Sequence, residues 1–367
     1  MRFHLILLLL FSSLIASASE ELIRTYRGVR SLGMGGLVTT TGVYDEAMFG
    51  NPATMIEAET WKLSILNVTA EVNDNLIKDI NTVKGVSGSS GSSVITKLSS
   101  LSGRNQHARV TVFPALYMPH LFDRNTGLSF GVIANVQANL MLRSTLDLDS
   151  QTYVDAGPVV NFVRRVWHEQ LAFGINLRAT YRGASDSSIG ATSFLSGTKL
   201  TPSDLLGVGA GIDGDIGVLY RFEKRIFGFL PAIGASLNNV AKSSYKFGNK
   251  PGLGKPPAND RTAAVGVRFD LPDLFFFRKI ILAAEMQNIG STSKQASIFK
   301  KTHMGLETKL LHFLSIRGGA NQGYYTAGLG IDIPILKIDL ATYGEELGAV
   351  AGQLEDRRYV ARISFDI

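Results

Sequence analysis

Six histidines, His4, His107, His120, His168, His303 and His312, are the side chains here best suited to hold a metal or move a proton. Their spacing supports neither role. His168-Glu169 has no ligand partner a helical turn further on, so zinc is not expected. The absence of cysteine removes thiolate metal sites, disulfides and a lipid-anchored amino end. His303 and Glu307 fall on one face of an alternating stretch, but no serine is placed to complete a triad. The chain therefore reads as a non-enzyme. Gly209-Ala210-Gly211-Ile212-Asp213-Gly214 has the spelling of a dinucleotide-binding turn. It opens a strand and not a helix, so no helix N-terminus awaits a pyrophosphate and no cofactor is expected.

The chemistry on offer is ionic. Arg178, Arg182, Arg268, Arg317, Arg358 and Arg362 lie on the polar faces of alternating stretches, as do Asp213, Asp215, Glu285, Glu307 and Asp339. Charges enclosed together must be paired. The expectation is ion pairs among them and bonds to backbone carbonyls of whatever they enclose. A compatible second reading lets some of the arginines guide an anionic head group.

The elements that position these charges read as strands. Leu128, Phe130, Val132, Ala134 and Val136 alternate with Ser129, Gly131, Asn135 and Gln137. Leu171, Phe173, Ile175, Leu177 and Tyr181 oppose Asn176, Arg178, Thr180 and Arg182, and the final stretch sets Tyr359, Ala361, Ile363, Phe365 and Ile367 against Arg358, Arg362, Ser364 and Asp366. Such segments recur near 61–71, 107–119, 126–140, 152–163, 169–182, 212–222, 228–240, 261–270, 278–289, 302–310, 313–320, 323–331, 335–344 and 357–367. They number fourteen, the even count a bacterial membrane barrel requires. Connections alternate between short and long, with Gln322 a tight turn on the long side. The expected fold is all-β: a 14-stranded antiparallel transmembrane barrel, residues 59–367, with a polar, charge-lined lumen. Phe275-Phe276-Phe277 marks an interfacial girdle at one short turn. Leu76, Ile77, Ile80 and Val83 suggest a short amphipathic helix in the 72–106 insert, followed by a flexible Gly/Ser tract.

Composition agrees. Thirty-eight glycines and 19% charged residues fit a barrel better than a soluble domain. The net charge of +6 is too modest, and its aromatic context too sparse, for nucleic acid. Residues 1–18 read as a secretory signal: Arg2, an apolar run from Leu5 to Ile15, then Ala16-Ser17-Ala18.

Residues 19–58 differ from the rest. Gly28, Gly33, Gly35, Gly36, Gly42 and Gly50 break any helix, and Asn51-Pro52 signals a turn. Such a segment keeps one shape only if something encloses it, so it is expected inside the barrel. Pro158, after Gly157, removes a ladder donor from the fourth strand. A lateral opening between the third and fourth strands is one consequence, a harmless bulge the other.

The stretch Arg30-Ser31-Leu32-Gly33-Met34-Gly35-Gly36, with Asp45 and then Asn51-Pro52-Ala53, resembles the long-chain fatty acid transport barrels of Gram-negative outer membranes, the FadL/TodX family with its PorV-like relatives. The resemblance implies that Arg30–Ala53 forms a hatch inside a fourteen-stranded barrel, with Gly33, Gly35, Gly36, Asp45, Asn51, Pro52 and Ala53 as gate residues. It departs at Thr54-Met55 and at the terminal Ile367, where the family carries an aromatic residue. The function it implies is passive outer-membrane transport of hydrophobic small molecules, fatty acids or aromatic hydrocarbons. The expected partners are outer-membrane lipid and that molecule. The alternative is a PorV-like barrel that transports nothing and partners a secretion or surface-attachment complex.

Overall fold

The computed structural model describes residues 21–367 except 88–95, 98, 144–146, 168, 190–206, 243, 248–254, 292–296 and 349. The proposed signal sequence, most of the Gly/Ser tract, His4 and His168 lie outside the described residues. Alternation has become wall: Leu177 and Tyr181 are 59% and 51% exposed, while Arg178 and Arg182, each the next residue along, are 6% and 0% exposed. Apolar side chains thus face outward and charges inward. Among the described residues no helix is long and apolar enough to cross a membrane.

The strands follow chain order: β1 (Lys62–Asn73), β2 (Asn105–Val112), β3 (Ala115–Asp123), β4 (Thr126–Leu142), β5 (Leu148–Val166), β6 (Leu171–Ile189), β7 (Gly207–Arg221), β8 (Leu230–Asn238), β9 (Thr262–Leu271), β10 (Phe277–Ile289), β11 (Thr302–Leu310), β12 (Leu314–Asn321), β13 (Tyr324–Asp332), β14 (Leu336–Glu346) and β15 (Glu355–Asp366). β2 and β3 are two halves of one stave, since Val112 faces Ala134 and Ala115 faces Gly131 in a single register. Pro114 between them has no donor, but its carbonyl accepts from Val132 N at 3.1 Å. β15 pairs with β1 and closes an antiparallel barrel of fourteen staves, so every strand has two neighbours. A lipid-embedded wall needs that closure, because hydrocarbon offers its backbone no partners.

The short turns share one rim. Phe122, Trp167, Phe227, Phe275 and Phe276 project from it, exposed, which extends the Phe275–Phe277 girdle around the barrel. The other rim carries the long connections and helix α2, Asp74–Ser87, which packs on β1, β2 and β15. Ile77 and Ile80 of that helix are exposed, while its Asp79 pairs with Arg104 at 2.9 Å. β5 and β6 run further toward this rim than alternation suggested, to Leu148 and Ile189.

Pro158 corrects one expectation about the wall. The ladder between β4 and β5 is continuous past it, with Val132 opposite Pro158 and Ile133 opposite Gly157. Pairing lapses on the other edge: β5 and β6 match at Ala156–Tyr181 and resume at Val159–Arg178. The interruption is two residues long and faces β6. At Gly157 a first side-chain carbon would sit 1.8 Å from the Ala179 carbonyl oxygen, so only glycine fits beside that turned carbonyl.

Candidate functional site

The N-terminal segment, residues 21–58, lies in the bore and bonds to staves all round it. It contains a single-turn helix, α1 (Val29–Gly33), and a 3-10 helix over Pro52–Glu57. Between them the chain winds through turns held by the wall. Glycines on both partners permit the contact. Gly35, at φ 76°, would place a side-chain carbon 2.3 Å from the Met304 carbonyl. A side-chain carbon on either Gly33 or Gly328 would lie 3.0 Å from the other's Cα, so the two pack backbone against backbone. Gly36 gives its carbonyl to Gln287 Nε2 at 2.8 Å.

Asn51 is the central knot. Its amide nitrogen donates to the Thr39 carbonyl at 2.7 Å and to the Val218 carbonyl of β7 at 3.0 Å. Its Oδ1 accepts from Ala53 N at 3.0 Å and so caps the 3-10 helix, in which Pro52 supplies the first position. Asn161 of β5 donates to the Pro52 carbonyl at 3.2 Å, and Asn176 of β6 to the Ala47 carbonyl at 3.0 Å.

Every lumen charge named from the sequence is buried. Some pair along the wall: Arg178 with Asp215, and Arg182 with Asp155 at 2.6 Å. Arg317 bridges Glu307 and Asp339, both at 2.6 Å. Asp213 accepts from the backbone N–H groups of Gly214 and Ala241. The rest fasten the inner segment, mainly through its side chains where carbonyls were expected. Glu307 takes Arg30 in a two-pronged bond of 2.8 and 2.9 Å. Arg362 spans Asp45 at 2.8 Å and Asp339 at 2.6 Å, and Tyr26 donates its hydroxyl to the same Asp45. Arg358 grips Glu21 at 2.8 Å, and Arg268 takes Glu57 at 2.7 Å with the Thr40 carbonyl at 2.6 Å. Glu285 accepts from Val38 N, Thr39 N and Thr40 N at 3.0, 2.7 and 3.1 Å, a carboxylate held by a loop of backbone donors.

The segment's own ionisable groups respond to this setting. Burial would raise the Glu21 carboxyl, but Arg358 outweighs it and holds the group well below the carboxylate range. Burial and the nearby Arg27 together lower Arg24 to about 10. Burial lifts Glu46 to about 7, Arg30 opposing and Asp45 reinforcing. Glu21, Arg24, Arg27, Glu46 and Glu57 were not singled out from the sequence. The available signal was their presence in a glycine-rich stretch that carries charge yet has no strand period.

His303 donates from Nδ1 to the Gly35 carbonyl at 2.8 Å, and Glu307 is committed to two arginines. The pair that could have suggested a barrel hydrolase is thus engaged in holding the segment. Among the described residues no group of histidine and carboxylate side chains could hold a metal ion.

Two cavities flank the segment. One, of 110 Å³ on the long-loop side, is lined by Arg24, Arg178, Asn238, Asn259 and Asn288 among others. The other, of 730 Å³, opens at the short-turn rim between Trp61, Lys62, Arg221, Asp332 and Lys337.

No family model matches the chain, and no curated protein matches it. Solved structures do. The toluene transporter TodX of Pseudomonas putida aligns over 95% of this chain and 98% of its own, at 12% identity and a TM-score of 0.53. The CymD monoaromatic hydrocarbon channel aligns over 94% and 98%, at 14% identity and a TM-score of 0.51. The chain therefore shares the barrel fold of the TodX and CymD hydrocarbon channels, as its resemblance to the FadL/TodX family implied.

Proposed function

We propose that the protein is an outer-membrane passive transporter of hydrophobic small molecules, with residues 19–58 as a hatch that gates the bore. The observation that carries this reading is the form of the obstruction. One continuous segment fills the lumen and is fastened by side-chain hydrogen bonds and ion pairs, which can be exchanged for water without breaking the wall. Gly33, Gly35, Gly36, Asp45, Asn51, Pro52 and Ala53 are its contact residues, and Glu285, Glu307, Arg268, Arg358 and Arg362 are its fastenings. The likeness in fold to channels described as carrying toluene and monoaromatic hydrocarbons supports an apolar cargo. The lapse at Gly157–Pro158 is the proposed place for such a cargo to leave sideways into lipid, between β5 and β6.

A specific observation favours a second reading. The larger cavity is lined mostly by charged side chains, and Tyr325, Ile298, Phe299, Val350 and Leu354 stand exposed toward the long-loop rim. A barrel packed shut with apolar residues at its outer rim suits a partner of a secretion or surface-attachment complex. Uptake by liposomes carrying the folded protein separates the two. Accumulation of labelled toluene or labelled fatty acid above that of empty liposomes supports transport. No accumulation of either, with the barrel shown folded by heat-dependent gel mobility, favours the partner reading.

A further inference from the structure

Of the residues lining the two cavities, Glu46 alone lines both. Glu46 therefore lies between them. The site is built for that side chain: a first carbon at Gly28 would lie 2.4 Å from Glu46 Oε1, and one at Gly42 would lie 3.2 Å from Glu46 Cβ. Two donors hold it in place, Ser31 N to Oε1 at 2.7 Å and Arg30 Nη1 to Oε2 at 3.1 Å.

The charges around it do not balance. Arg30 is already engaged by Glu307 of β11 through Nε and Nη2, and its Nη1 is shared with the Thr41 carbonyl at 2.8 Å. Arg362 of β15 serves Asp45 and Asp339 of β14, and Arg317 of β12 serves Glu307 and Asp339. Three guanidiniums thus face four carboxyl groups: Asp45, Glu46, Glu307 and Asp339. Tyr26 donates its hydroxyl to Asp45, and Lys62 of β1 takes Asp366 at 3.1 Å; across the partition Arg178 and Asp215 satisfy each other, Arg27 pairs with Glu345 at 2.8 Å, and Arg24 meets Asn288 Oδ1 at 3.2 Å. Glu46 is the group left with the smallest share of positive charge.

We propose that Glu46 is a proton-controlled partition: protonated, it stays seated in the Gly28–Gly42 cradle, and ionised, it swings into the water of the 730 Å³ cavity and joins the two compartments. The direction follows from linkage. The seated carboxyl holds its proton to about pH 7, whereas the same group in water releases it near the ordinary glutamate value of about 4.3. The seated state binds protons more tightly, so acid favours closure and rising pH favours release.

The inference rests on reading the segment as a hatch, and its test needs no cognate cargo. Potassium chloride conductance of the full chain in planar bilayers is measured from about pH 5 to about pH 8.5, a span over which linkage shifts the open-to-closed ratio by roughly tenfold to a hundredfold. The expected result is a conductance that rises at least severalfold, with Glu46→Gln remaining at the acid value throughout. Gly28→Ala, which crowds Oε1 out of the cradle, is expected to conduct at acid pH as the wild type does at alkaline pH. A wild-type conductance that is flat with pH, or the same rise in Glu46→Gln, would overturn the partition. A rising conductance with no liposome uptake of toluene or fatty acid would remove the cargo reading and leave the partition standing.

Discussion

A first side-chain carbon at Gly217 would lie 1.9 Å from Oδ1 of Asn51, so the bare position on β7 and the amide of the inner segment are fitted to one another. Gly217→Val should push Asn51 off the Thr39 and Val218 carbonyls and cost about 1–3 kcal/mol, as overpacking does. The wall itself should stay intact. Trypsin digestion in detergent reads this directly, since Arg24, Arg27 and Arg30 lie in the segment. Faster cleavage there with unchanged heat-dependent gel mobility is the expected outcome, and wild-type resistance would count against the fit.

Glu285 holds the loop Val38–Thr40 by its backbone donors. Glu285→Gln replaces one acceptor oxygen by a donor that faces other donors, which should cost about 1–3 kcal/mol. Hydrogen exchange at the amides of residues 38–40 should accelerate, while those of β10 and its neighbours stay protected. Equal protection in the two proteins would show that other contacts hold the loop.

Removing Glu307 leaves Arg30 and Arg317 each short of a partner in a buried site. Glu307→Ala should lower stability by about 3–5 kcal/mol, and the pair Arg30→Met with Glu307→Leu should recover part of it. Urea unfolding in lipid vesicles compares the three. A double variant no better than the single one would place the loss in packing and not in charge.

The acid limb of stability should follow Glu21. Its carboxyl is depressed in the folded protein, so its contribution is present above the ordinary glutamate range and is lost as pH falls below about 4. Proteolytic release of the segment's amino end by an acid-active protease should increase over that range. In Glu21→Gln the release should already be raised at neutral pH and should change less with acid.

The wall was legible because its physics is periodic. Leu177 and Tyr181 must meet lipid and Arg178 and Arg182 must not, and a two-residue repeat records that in letters. The break at Pro114 and the side on which Pro158 interrupts its ladder were not legible, since both depend on which edge a missing donor faces. The inner segment announced its enclosure through its glycines but not its partners. Which carboxylate meets Arg30 is fixed by how Gly33 and Gly35 lie against β11, β12 and β13, a matter of three-dimensional fit with no period to read.

Two arginines of β15 have a consequence for how the molecule is made. Arg358 holds Glu21 and Arg362 holds Asp45, while the same strand zips onto β1, which begins just after the inner segment ends. The last strand of the barrel therefore supplies both the closing seam and the counter-ions for the inner segment. Stopper and cylinder lock in one event, and a chain lacking its last strand would lose its seal and its cork together.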